Sequence, residues 1–341
     1  LSLDGTKGEF RLFAPDFPDW IEDNGVGIKL APDTRTTGIM KNGLNAIEQN
    51  KNLFRLFETL HGDTAATNQV PQPVTVDNNI SIDPALNQSQ QEAVKAILVN
   101  ESICIVHGPP GTGKTTTLVE AIVQLVKQHE KVLVSAPSNT AVDHIARGLI
   151  KKGIRLLRVG NSSKADVDLF PHTPEGKMAN SKIQQEIKQL RIRAEEFRRM
   201  ALKYKRSFGK AEREQRNLLF KEVRSIRDEI RKIQDYEEEK MMTDADVIAG
   251  TPIGLYDAGL KGKKIQTLII DEAGQCIEPL AWCIFPLAEK IVLAGDHLQL
   301  PPTVLSQEAM ALGLNRSILE TAVSTVPAVY LLDTQYRMRA S

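Results

Sequence analysis

From residue 103 onward the chain is punctuated by short apolar runs. Residues 103–106, 132–136, 155–159, 247–249, 267–270, 291–294 and 328–332 are each too short for a helix, and several are apolar without a break. Continuous runs of that length predict buried strands of a parallel sheet covered on both faces. Helical stretches fall between them, for example over 114–128 and 141–151. Strand and helix in alternation define an α/β fold, a doubly wound and mostly parallel sheet.

Two segments depart from this rhythm. In residues 1–61, short strands are expected at 8–13 and 27–30, followed by a helix over 42–60 with Leu44, Ile47, Phe54, Phe57 and Leu60 on one face. A unit this small buries little core alone, so it reads as part of a longer accessory domain. Residues 62–83, with Gly62, Pro71, Pro73, Asn78 and Asn79, read as a linker. The α/β domain then occupies 84–341. Within it, Ile183, Ile187, Leu190, Ala194, Phe197, Ala201, Tyr204 and Phe208 are spaced in alternating steps of four and three, a heptad seam. A second seam runs through Leu219, Val223, Ile226, Ile230 and Ile233, with Gly209 between the two. A helical insertion over 177–240 follows from this spacing.

Composition narrows the class. The chain has 341 residues, 41% apolar and 25% charged, which excludes a disordered or collagenous chain. No apolar run approaches the ~18 residues that cross a bilayer, and no secretory signal pattern opens the sequence. Cys104, Cys276 and Cys283 are too few and too scattered for a disulfide framework or a metal site, and read as buried small side chains. An intracellular protein, cytoplasmic or nuclear, is expected. Lys plus Arg number 43, as do Asp plus Glu, so nucleic-acid binding has to come from local charge. Residues 177–233 carry 18 Lys and Arg against 8 Asp and Glu, a local +10. That excess suits either a solvated helical pair or a clamp on nucleic acid.

Three strand ends carry chemistry. After the run at 103–106 comes Gly108-Pro109-Pro110-Gly111-Thr112-Gly113-Lys114-Thr115, with Thr116 next, and a helix begins there. Strand, glycine-rich turn and helix in this order make a P-loop: main-chain N–H groups curl around phosphates at a helix N-terminus. Lys114 reaches the β- and γ-phosphates, and Thr115 offers its hydroxyl to Mg²⁺. The run at 267–270 delivers Asp271 and Glu272 to its end. Asp271 is expected to hold Mg²⁺ through water, and Glu272 to act as general base on the attacking water. The run at 291–294 leads into Gly295-Asp296-His297-Leu298-Gln299-Leu300-Pro301-Pro302. There Gln299 is placed to sense the γ-phosphate, while His297, alone in a loop, reads as structural.

These motifs join Leu86-Asn87-Gln88-Ser89-Gln90, Ala136-Pro137-Ser138-Asn139, Asp271-Glu272-Ala273-Gly274-Gln275 and Gln335-Tyr336-Arg337-Met338 in one ordered series. The series resembles a superfamily 1 helicase, and is similar to the subgroup containing the nonsense-mediated-decay RNA helicase, senataxin and the immunoglobulin-mu-binding helicase. The resemblance covers about residues 84–339 and implies the first RecA-like motor domain. It also implies that residues 1–61 are a β-barrel remnant plus helix. By the same resemblance Gln90 reads the adenine edge, Tyr336 stacks near the base and Arg337 reaches the γ-phosphate. Ser138, Asn139, Thr251 and Pro252 would touch the backbone of single-stranded DNA or RNA. The implied activity is ATP-dependent movement along that strand, 5′ to 3′, with ATP and Mg²⁺ as cofactors. The resemblance also implies a second RecA-like domain as partner, expected to lie outside this chain. The expectation is therefore a fragment that binds nucleotide weakly, hydrolyses it slowly and does not unwind duplexes alone. No membrane partner is expected, and the sequence leaves the oligomeric state open. Two other readings are a nucleotide-binding adaptor without catalysis and a nucleotide-switched GTPase; against the latter, no Asn/Thr-Lys-x-Asp stretch follows the P-loop.

Overall fold

The computed structural model describes residues 2–4, 7–9, 34–62, 81–179, 181–203, 209–260, 262–263, 265–326 and 329–336. It divides into two units, Leu1–Thr37 and Gly38–Ser341. In the first, strands β1 (Ser2–Asp4) and β2 (Lys7–Glu9) pair antiparallel, with Ser2 opposite Glu9. The strand expected at 27–30 and most of the one at 8–13 lie outside the described residues.

A seven-stranded sheet organises the second unit. Its strands are β3 (Ile103–His107), β4 (Val132–Ser135), β5 (Leu156–Arg158), β6 (Val247–Gly250), β7 (Thr267–Ile270), β8 (Lys290–Gly295) and β9 (Val329–Leu331). They lie in the order β5-β6-β4-β7-β8-β3-β9, every neighbouring pair parallel. Successive strand residues face opposite sides, and both sides are filled here. Ile105, Leu133, Ile248, Leu268, Ile270 and Leu293 enter one core. Val106, Val132, Val134, Ala249, Ile269 and Val292 enter the other. Burial on both faces is why these strands read as unbroken apolar runs.

Helices α1 (Thr34–Gln49) and α2 (Lys51–His61) contribute Ile39, Ile47, Leu53, Leu56 and Leu60 to the first core. The sequence suggested one helix over 42–60 and a boundary near residue 61. Instead, the Asn50 side chain accepts from the N–H groups of Asn52 (2.9 Å) and Leu53 (3.4 Å) and starts a second helix. The break changes the helical phase: Leu53 and Leu56 turn inward, and Phe54 is left exposed. Because these residues pack with Trp282 and Phe285, the division falls at residue 37. Of the expected linker, residues 63–80 lie outside the described residues. At its end Asp83 N–H donates to Glu120 (3.2 Å) and Ser81 C=O accepts from Gln124 (2.9 Å).

The second core is roofed by α3 (Gln88–Val99), α4 (Lys114–Lys127) and α5 (Asn139–Lys151). Between β5 and β6 the chain forms α6 (Pro174–Ala179), α7 (Lys182–Leu202) and α8 (Lys210–Asp244). Ile187, Ala194, Ile226 and Ile230 bury the seam between α7 and α8, with Ile183, Leu190, Phe197 and Ile233 beside them. The insertion thus runs from α6 to the end of α8, further on both sides than 177–240. Tyr204 and Phe208 lie outside the described residues. The chain continues through α9 (Pro252–Asp257), α10 (Glu278–Ile284), α11 (Gln307–Ala311) and α12 (Ile318–Thr325). Among the described residues no helix is long and apolar enough to cross a membrane.

Strand order fixes where a ligand can sit. From β3 the chain crosses to β4 on one side, whereas β9 lies on the other. Open α/β sheets bind ligands outside the C-terminal ends of their strands at such a reversal.

Candidate nucleotide site

The loop from Gly108 to Gly113 leaves β3 at that reversal and enters α4. Its base is tied on both sides: Gly108 N–H donates to Gly295 C=O (3.0 Å), and Leu332 N–H donates to His107 C=O (2.8 Å). Gly111 and Gly113 both have φ near +81°, a conformation that costs glycine little and other residues more. A Cβ on Gly113 would lie 2.5 Å from Gln90 Nε2, and one on Gly108 would lie 2.5 Å from Lys114 Cγ. Thr112 is buried and its hydroxyl donates to Pro109 C=O (2.8 Å). Pro109 and Thr115 are half-buried, while Pro110 and Thr116 are exposed.

Lys114 is buried, and its Nζ donates to Gly108 C=O at 2.6 Å. Its charge acts on Asp271 at the end of β7, so the lysine and the acid pair share one locality. Burial pushes the Asp271 carboxyl up to about 6, and the neighbouring Glu272 charge adds to this. The Glu272 N–H (2.9 Å from Oδ1) and Lys114 pull it partly back. Glu272 is half-buried and left-handed at φ 52°. A non-glycine residue held there costs on the order of 1–3 kcal/mol, a cost that clusters at functional positions.

This perturbation has a measurable consequence. In the unfolded chain Asp271 takes its ordinary value, 3.8, whereas in the fold it binds its proton more tightly. The stabilisation from holding the neutral acid is complete below pH 3.8 and is lost as pH rises through about 6. At one pKa unit per 1.36 kcal/mol, ionised Asp271 costs the fold about 3 kcal/mol at neutral pH. Asp271→Asn is therefore expected to gain about that much in urea unfolding at pH 7.5, and next to nothing at pH 3.5. A stability difference independent of pH would refute the assignment.

The third strand end adds Asp296, directly after β8. Burial raises its carboxyl, but hydrogen bonds from Gln299 Nε2 (3.0 Å), His107 Nε2 (3.1 Å) and Leu298 N–H (2.9 Å) outweigh this and hold it below the ordinary value. Gln299 is exposed and is held on Asp296. Gly274 lets the two loops touch, since a Cβ there would lie 2.5 Å from Asp296 C=O.

The remaining expected residues divide. Gln90 is buried beneath the loop: Asn87 N–H donates to its Oε1 (3.0 Å), and its Nε2 donates to Thr112 C=O (3.0 Å). Here Gln90 closes the α3 capping box and braces the P-loop. Tyr336 joins the same corner: its N–H donates to Gly111 C=O (2.9 Å), and its hydroxyl accepts from Asn87 Nδ2 (2.7 Å). Gln335 Nε2 donates to Pro110 C=O. Arg337 lies outside the described residues. Ser138 and Thr251 are helix caps, accepting from Ala141 N–H (3.1 Å) and Gly254 N–H (3.3 Å). Pro252, buried, opens α9. These two caps stand at the ends of β4 and β6, on the far side of β7 from the lysine-bearing loop after β3, with β4 directly beside the strand that carries the acids.

Sequence reasoning missed the residues that position these groups. Arg158, fully buried, forms an ion pair with buried Asp143 (3.2 Å), and its Nη2 donates to Asn139 Oδ1 (2.7 Å). Breaking a buried pair strands one charge and costs roughly 3–5 kcal/mol. Arg158→Met is expected to lose about 3 kcal/mol in urea unfolding, most of it recovered in Arg158→Met/Asp143→Leu. Full stability of the single variant would contradict this. Asn87 stood in the motif series without a role, and His107 read only as a strand residue; the structure makes the first the α3 cap that also holds the Tyr336 hydroxyl and the second a partner of Asp296.

A P-loop facing two acids across a parallel sheet defines a nucleoside-triphosphate-binding α/β domain. The AAA domain family matches residues 85–307. The chain is 34% identical over 290 residues to the DNA-binding protein SMUBP-2 of Mesocricetus auratus, which covers 83% of this chain and 28% of that protein. It is 31% identical to an uncharacterized ATP-dependent helicase of Methanocaldococcus jannaschii, covering 96% of this chain and 53% of that one. It is 33% identical to the ATP-dependent helicase upf1 of Schizosaccharomyces pombe, covering 79% and 27%. The chain belongs to this AAA domain family, in the Upf1-like group of superfamily 1 helicases. It spans between about a quarter and a half of the length of these relatives.

Proposed function

We propose that this chain is the first RecA-like motor domain of an ATP-dependent nucleic-acid helicase or translocase. The reading rests on one observation: buried Lys114, at the start of the helix that follows β3, lies near enough to Asp271 at the end of β7 for its charge to act on that carboxyl. Lys114 and the loop N–H groups take the β- and γ-phosphates, and Glu272 orients and deprotonates the water that attacks the γ-phosphorus. The γ-phosphate leaves ADP as inorganic phosphate. Carboxylate and hydroxyl oxygens are hard donors that suit Mg²⁺, so Asp271, through water, and Thr115 are the residues to hold it. When bound, Mg²⁺ neutralises charge on the β- and γ-oxygens. Gln299, held on Asp296, is the group to turn toward the phosphate. Arg337 reaches the same phosphate when a second domain closes the cleft. Leu298, Leu300 and Leu305 stand exposed beside Gln299, an apolar edge suited to that closure. Ser138, Asn139, Thr251 and Pro252 lie along one margin of strand ends and suit contacts to a phosphate backbone. The excess of 18 Lys and Arg over 8 Asp and Glu in residues 177–233 makes that stretch a second candidate nucleic-acid surface.

The deciding experiment is ATP turnover by the whole protein with and without single-stranded DNA and RNA. Stimulation by at least one strand, with ATP preferred over GTP, is expected. Turnover indifferent to both would favour a nucleotide-binding adaptor.

A further inference from the structure

Parallel register places His107 of β3 opposite Gly295 of β8, so His107 and Asp296 meet at adjacent strand ends. The two imidazoles of His107 and His297 lie with ring centres 4.7 Å apart. One ligand atom from each of His107, Asp296 and His297 falls within 4.8 Å of the other two. We propose that these three side chains form a binding site for a transition-metal ion, Zn²⁺ in particular, separate from the Mg²⁺ position assigned to Thr115 and Asp271.

Three features carry it. Two imidazole nitrogens and one carboxylate oxygen form a donor set that suits zinc and its neighbours rather than Mg²⁺. His107 Nε2 and Asp296 Oδ1, joined here by a hydrogen bond whose proton is released to solvent on ligation, are 3.1 Å apart, close to the ~3.3 Å between ligands around a tetrahedral ion with ~2.0 Å bonds. His297 Nδ1 is buried with no hydrogen-bond partner. Such nitrogens are uncommon, so the His297 imidazole holds unspent hydrogen-bonding capacity at this cluster. The support is also built in: Gln299 and Leu298 N–H hold the Asp296 carboxylate, as outer partners hold ligands in metal sites. Three protein ligands leave a fourth position for water.

A consequence follows for turnover, and it rests on the γ-phosphate reading of Gln299. An ion on Asp296 and His297 clamps the loop to β3 with Gln299 still on Asp296, and so opposes its swing to the phosphate.

The test is calorimetric titration of the EDTA-treated chain with Zn²⁺ alone. One equivalent is expected to bind. His107→Gln and His297→Gln are each expected to weaken it by at least the roughly 10–100-fold that loss of an outer partner costs, with circular dichroism showing both folded. His144→Gln, at an exposed position on α5, is expected to bind as the parent does. Absence of binding, or binding unchanged in both His107→Gln and His297→Gln, would overturn the site. In the whole protein, Zn²⁺ is expected to slow ATP turnover, and His297→Gln to relieve that slowing. Turnover insensitive to Zn²⁺ alongside stoichiometric binding would remove the Gln299 consequence and leave the site standing.

Discussion

Lys114→Ala is expected to abolish nucleotide turnover by the whole protein and to weaken nucleotide binding. Lys114 is buried, and the loop is shaped around its side chain: no Cβ fits on Gly108 beside Lys114 Cγ. Its ammonium now donates to the loop's own Gly108 carbonyl, a short swing from any phosphate cradled by the same loop. Loss of one preorganised donor in an active site costs roughly 10²–10³-fold in rate. Loss of a full charge from a shielded site costs more. Turnover of ATP with saturating single-stranded nucleic acid measures the first effect, and titration with a fluorescent ATP analogue the second. A variant within tenfold of the parent would remove Lys114 from phosphate contact. Fold loss is separable, because Lys114→Arg keeps the charge and the methylene packing while misplacing the donor.

What could be read from the sequence, and what could not, follows from the range of each interaction. The P-loop was legible because its chemistry is local: glycines, lysine and threonine act within eight consecutive positions, and strand and helix flank them. Asp271 and Glu272 were legible because an apolar strand ends on them. The meeting of these pieces depends on the order β7-β8-β3, which no stretch of sequence carries. Gln90 shows the limit of a motif. Its amide is spent on Asn87 and Thr112 here, a bracing role invisible without the turn above it. Asn50 shows the limit of periodicity: a single capping side chain splits an expected helix and turns Phe54 outward. His107 lies 189 positions before the adjacent Asp296 and His297 and meets them only through the register of β3 on β8. Arg158 was hidden for the same reason, as a charge inside a strand that long-range contacts with Asp143 and Asn139 make tolerable.

Glu272→Gln is expected to keep nucleotide binding and lose hydrolysis, by roughly the 10²–10⁴-fold that a positioned general base contributes. Glutamine preserves length and hydrogen-bonding shape, so the left-handed turn at residue 272 and the Asp271 Oδ1 contact to its N–H persist. What disappears is the negative charge, which does two things. In the proposed reaction it accepts the water's proton, and it repels the ionised form of Asp271. The variant therefore carries two linked signatures. Turnover falls while analogue binding holds, and the pH at which the fold loses the Asp271 contribution moves down toward the ordinary carboxylate range. A purely structural Glu272 would give neither: stability would drop at all pH values, and turnover would fall only in step with the folded fraction. Undiminished turnover in Glu272→Gln would remove it from the role of base, and an unmoved titration would show that the two acids do not sense one another.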